Sequence, residues 1–195
     1  MFRSSTPSTV AAINTLLLCS SLLCTATAHA SNFFKEGPSV FNYNYAELKF
    51  LDLDSADGLS FSGSADIKKN IAINVEYANL SDGPADLDLL TFGSAFYRQS
   101  ARYKKADYIL AAGLQYLSGN GSDSDTGIFI SAGTRYAVNN SMEANAAMKL
   151  NTTGDTDLSL HLAGLYEFTP GFSGLIETDI GDDTSFGLGV RFYWR

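Results

Sequence analysis

The chain has 195 residues, a formal net charge of −8 and only 17% charged residues. Its acidic balance argues against nucleic acid or an anionic membrane surface as the main partner, and its two cysteines, Cys19 and Cys24, leave no disulfide or thiolate metal site to the rest of the chain. No stretch after residue 30 approaches the roughly 20 apolar residues of a transmembrane helix, so any membrane crossing falls to strands.

Residues 1–30 read as a secretory signal peptide: Arg3, then the apolar run VAAINTLLLCSSLLC from Val10 to Cys24, then Ala28-His29-Ala30 as an A-x-A cleavage site. Leu18 and Leu23 precede the cysteines where a lipoprotein site needs a small residue, which argues against lipid anchoring. The mature chain is expected to begin at Ser31 and to form one domain over 31–195. It is more acidic still, because residues 1–30 carry one of the 13 Lys+Arg and none of the 21 Asp+Glu.

From there the period is two. Ten strands are predicted, at 42–52, 59–67, 71–79, 87–97, 107–117, 127–136, 142–150, 157–168, 172–180 and 185–194, most of them near the roughly 9 to 11 residues that a tilted strand needs to cross a bilayer. The second sets Leu59, Phe61, Ala65 and Ile67 against Ser60, Ser62, Ser64 and Asp66. The seventh sets Met142, Ala144, Ala146, Met148 and Leu150 against Glu143, Asn145 and Lys149. The last sets Phe186, Leu188, Val190, Phe192 and Trp194 against Ser185, Gly187, Gly189, Arg191 and Tyr193. The first and fourth strands are ambiguous: Leu87 and Leu89 fall on one face while Leu90, Phe92 and Phe96 fall on the other, which a bulge would reconcile.

The connections alternate as well. KKN, RQSARYKKA, AVNNS and TPG follow the even strands, and DSADG, SDGPA, SGNGSDSD, NTTGD and GDD follow the odd ones, so one end is neutral to basic and the other acidic. Pro38, Pro84 and Pro170 all avoid strand interiors, as ladder hydrogen bonding demands. Three features choose lipid over a dry core as the solvent of the apolar faces. The polar faces hold Gly, Ala and Ser with few charges, whereas a soluble surface is roughly 25 to 35% charged. Aromatic residues gather beside the short connections, at Tyr97, Tyr136, Phe168, Phe172, Phe192 and Trp194, as an interfacial girdle would. An even strand count also puts both termini on one side, the periplasmic one, and the acidic connections outside.

With its leader, its dyad strands and the ending GLGVRFYWR, the chain resembles the small bacterial outer-membrane β-barrels, the class of the OmpX/Ail-type proteins and the OmpA transmembrane domain. The resemblance covers residues 40–195. It implies an all-β fold, a closed antiparallel up-and-down transmembrane barrel of eight to ten strands, in the outer membrane of a Gram-negative cell. It also implies that the C-terminal aromatic segment is read by the barrel-assembly machinery, although Arg195 follows Trp194 where that signal ends in an aromatic residue. Outer-membrane lipid and lipopolysaccharide are the expected partners of a monomer with no cofactor.

On the expected lumen side lie Glu47, Lys49, Glu76, Arg135, Glu143, Lys149, His161, Glu167, Glu177, Asp179 and Arg191. Stripping water from a charge costs several kcal/mol, so these groups are expected to pair into a network that fills a narrow barrel. The rival role for the same residues is a conduit for small solutes. His161, with Ser159, Glu167 and Glu177, invites a catalytic triad, but TDLSLHLAGLYEF carries no motif of the barrel enzymes, and a non-enzymatic structural or surface role is expected. The segment DLDSADG misses a calcium loop, with Ala56 at the third ligand position and Asp57 at the glycine position. Adhesion through the outer loops is a further reading, weakened by loops that are short and poor in aromatic anchors.

Overall fold

The computed structural model describes residues 39–194 except 54–55, 83–84, 121 and 183. The expected signal peptide, its cleavage site, Pro38, Pro84 and Arg195 lie outside the described residues.

Ten strands form: β1 (Tyr45–Leu53), β2 (Ala56–Lys68), β3 (Ile71–Asp82), β4 (Ala85–Gln99), β5 (Ala106–Gly119), β6 (Ser122–Ala137), β7 (Met142–Asn151), β8 (Asp157–Thr169), β9 (Phe172–Ile180) and β10 (Thr184–Tyr193). Each pairs antiparallel with its neighbours in the chain, and β1 pairs with β10 to close the barrel. Glu47 of β1 stands opposite Arg191 of β10 on one side and Ser62 of β2 on the other, so the first strand is an integral stave and the count is ten. Closure leaves no edge strand, whose unpaired backbone groups hydrocarbon would penalise by several kcal/mol each.

The alternation sorts side chains by solvent. Phe61 is 57% exposed, Leu114 57% and Leu188 51%, while Arg191 on the opposite face of β10 is 6% exposed. An exposed apolar surface that runs around the whole barrel is stable in lipid and a liability in water. The direction inferred from the C-terminal strand, aromatic column out and arginine in, is therefore the one adopted.

The structure departs from the expected boundaries in three places. Residues 42–44 are not strand; with 39–41 they form a lead-in that enters the mouth of the barrel. Most of three acidic connections is strand, so β4 and β6 reach 15 and 16 residues. The fourth strand contains no bulge, since its pairing with β3 runs unbroken from Ile71↔Phe96 to Asp82↔Ala85. Leu87, opposite the buried Leu80, simply belongs with Leu89 to an inward column that is apolar near the acidic end.

Two turns at the end holding both termini are tight. Asn70 (φ 67°) and Gly171 (φ 83°) occupy the left-handed region that the β2–β3 and β8–β9 turns require, and Asn and Gly are the residues that enter it at least cost. Register shifts between Asp66 and Lys68 and between Glu167 and Thr169 feed the two turns, as bulges at a barrel rim do.

The barrel lumen as candidate functional site

The lumen is layered, and small side chains in the wall make room for large ones in its middle. At the end holding the termini, the aligned residues Ala72, Ala95, Ala111 and Ser131 leave space. Tyr43 of the lead-in occupies part of it, stacked on Tyr97 with ring centroids 3.7 Å apart. Its hydroxyl donates to Asp107 Oδ2 at 3.1 Å, and Ser39 Oγ donates to the same oxygen. Asp107 is fully buried. Tyr97 donates in turn to Asp66 at 2.7 Å. Loss of solvent, aided by the Asp107 carboxyl and opposed by Arg135, holds the Tyr43 phenol above its ordinary range, so it remains a donor.

Arg135 locks this layer. Its guanidinium meets Glu143 at 2.7 Å, donates to Tyr193 Oη at 2.7 Å and to the Asn42 carbonyl at 3.2 Å, and lies 4.5 Å from the Phe41 ring centroid. A planar fork with five donors suits such a junction; a lysine would satisfy fewer partners and stack poorly. Arg191 forms a second clamp, paired with Glu47 and lying 4.1 Å from the Tyr45 ring. Ser62 completes the shell of Glu47 at 2.9 Å.

Toward the acidic end, Lys49 bridges Glu177 at 2.8 Å and Glu76 at 3.0 Å, and Ser60 donates to Glu76 at 2.6 Å. Asp179 joins Lys149 at 3.1 Å to His161 Nδ1 at 3.2 Å. Thus Glu47, Lys49, Glu76, Arg135, Glu143, Lys149, His161, Glu177, Asp179 and Arg191 all face inward and are paired. Glu167 stands apart from them: it accepts from the Gly171 N–H at 2.9 Å and caps the β8–β9 turn. Glu167 is thus committed to a turn and Glu177 to Lys49, and the carboxylate beside His161 is that of Asp179.

Of the expected girdle residues, Tyr136, Phe168, Phe172, Phe192 and Trp194 lie on the outer face near the termini. Phe168 packs 5.3 Å from Tyr166, and its ring covers the place where a Cβ at Gly174 would stand. Tyr97 is a correction. It is 5% exposed and points into the lumen, because the inward column of β4 runs through Gly93, Ala95 and Tyr97. Sequence reasoning set Tyr193 on the face of Arg191 without giving it a role, and missed Tyr43 and Asp107. The signal was parity: Asp107 shares the column of Ile109, Ala111 and Gly113, and Tyr43 that of Tyr45 and Glu47.

Two cavities flank the aromatic and arginine layer. One, of about 480 Å³, runs from Tyr43 and Arg191 up to Leu53 and Asp157; the other, of about 560 Å³, lies at the terminal end between Phe41, Glu143, Glu167 and Trp194. They share no lining residue. Phe129 narrows the first by lying over Gly113 and Gly93, its paired neighbours along the ladder, where any Cβ would collide with its ring.

A closed ladder, an apolar outside and a lumen filled by paired charges define a β-barrel of the outer-membrane type. Solved structures agree on the fold. The chain is similar to the NanC porin, with 10% identity and a TM-score of 0.53 over 77% of this chain and all of that one. It is also similar to the KdgM porin, with 10% identity and a TM-score of 0.50 over 77% of this chain and 99% of that one. At such identity the likeness is one of fold alone. No family model and no curated protein matches the sequence.

Proposed function

We propose that this chain is an outer-membrane protein with a non-enzymatic, structural or surface role, whose lumen is closed at the end holding both termini. One observation carries the reading: the Tyr43–Tyr97 stack and the Arg135 and Arg191 clamps stand between two cavities that share no lining residue. The apolar outside supports the outer membrane as its location, and the acidic end then faces outward.

Two measurements test the proposal. Protein recovered from the membrane fraction should migrate faster on SDS gels before boiling than after, and its N-terminus should be Ser31. In planar bilayers the folded protein should give no conductance steps. Steady steps would replace this reading with the second one, a narrow pore for small solutes. That reading is favoured by one feature of the plug, since Phe41 and Tyr43 come from the lead-in and could leave without dismantling the wall.

A further inference from the structure

The cavity that opens toward the acidic end has two unlike walls. Near its mouth β1, β3, β4 and β6 line it with Leu51, Leu53, Leu80, Leu89 and Phe129, above Lys49 and Glu76; β7, β8 and β9 line it with Lys149, Asp157, His161 and Asp179. A space of about 480 Å³ with one greasy wall and a few polar groups opposite it has the dimensions and make-up of a small-molecule site rather than of a simple packing gap.

Its charge is unbalanced. Five carboxylates line it against two lysines and one arginine. Lys49 is shared by Glu76 and Glu177, Lys149 is taken by Asp179, and Arg191 by Glu47. Asp157 meets no cation among the described residues; its Oδ1 accepts only from the Asp182 N–H at 3.3 Å. Deeper in, Ser64 is 3% exposed and its Oγ has no hydrogen-bond partner among the described residues. The aspartates of the neighbouring connections deepen the negative potential at the entrance, where a low-dielectric wall focuses it.

We infer that this vestibule binds a small organic cation with an apolar body, such as an arylalkyl ammonium. The carboxylates, Asp157 foremost, hold the ammonium. The leucine wall and Phe129 cover the body. An anion of the same shape is rejected because every cation in the wall already has an acid.

The probe is benzyltrimethylammonium, titrated calorimetrically into the refolded full barrel in detergent micelles with empty micelles subtracted; benzenesulfonate and benzyl alcohol are the anionic and neutral counterparts. The ammonium should bind saturably, and the sulfonate and alcohol at least about tenfold more weakly, as one unpaired charge in a partly desolvated site allows. Asp157→Asn should weaken the ammonium several-fold and leave the heat-dependent gel shift intact, and Phe129→Leu should do the same. Equal binding of all three probes, no heat beyond that of empty micelles, or two variants that bind as the parent does would overturn the inference. None of these outcomes bears on the closed terminal layer, which conductance reads separately.

Discussion

At the end of the barrel that holds both termini, Tyr43, Tyr97, Arg135 and Arg191 fill the lumen and are tied to Asp107, Asp66, Glu143 and Glu47, whereas at the acidic end the wall leucines border open space. Both ends use the same staves and the same period. They differ in what the inward columns carry: small residues beside aromatics and arginines below, aliphatics beside part-exposed ion pairs and Asp157 above. A filled layer fixes a barrel's shape, and an open one leaves room for a guest. The cost of a substitution should therefore fall from one end to the other.

The largest effect is expected at the buried clamp. Arg191→Met leaves Glu47 buried with its main counter-charge gone, which should cost about 3–5 kcal/mol of unfolding free energy measured by urea titration in lipid vesicles. Adding Glu47→Leu should recover most of that loss, because two apolar groups strand no charge. A single variant as stable as the parent would mean that the closed end is not held by this pair.

The outside of the same strand provides the next test. Leu188→Arg puts a charge on the apolar face opposite the Arg191 column and should cost about 2–4 kcal/mol if that residue sits near the bilayer midplane, less toward either interface. A neutral outcome would place β10 against protein or water instead of lipid.

How far this division could be read beforehand depends on the column. Ten strands, their alternation and the inward charges were legible because polar and apolar residues separate cleanly by parity in β2, β3, β7, β8 and β10. The apolar inner wall was not, since Leu87 and Leu89 beside Leu90 and Phe92 look like a slipped register when the lumen is assumed polar throughout. Tyr97 was misassigned because an aromatic near a strand end suits a girdle and a plug equally, although its parity with Gly93 and Ala95 sets it on the face opposite Phe92 and Phe96. Pairing partners such as Lys49 with Glu76 and Glu177 depend on strand tilt, which a period-two reading does not contain.

A third prediction isolates that plug. Tyr43→Phe keeps the stack on Tyr97 and removes one donor from the fully buried Asp107, so stability should drop by about 1–3 kcal/mol. The same variant should show openings in planar bilayers that the parent lacks if the lead-in is the movable part. Loss of stability with conductance still absent would assign the hydroxyl a packing role only.

The smallest effect is expected where the chemistry is again an ion pair but the surroundings differ. Lys149 and Asp179 meet at 3.1 Å with side chains 36% and 25% exposed, against 7% and 6% for Arg191 and Glu47. Water that reaches both partners weakens their attraction and rehydrates whichever is left, so Lys149→Gln should cost less than about 1 kcal/mol. That cost should shrink further as salt is raised, since the Debye length contracts from about 10 Å at 0.1 M to about 3 Å at 1 M, while the penalty for Arg191→Met should hardly move. If the two variants instead responded alike to salt, burial would not be what separates the two ends, and the open vestibule would have to be as dry as the clamp beneath it.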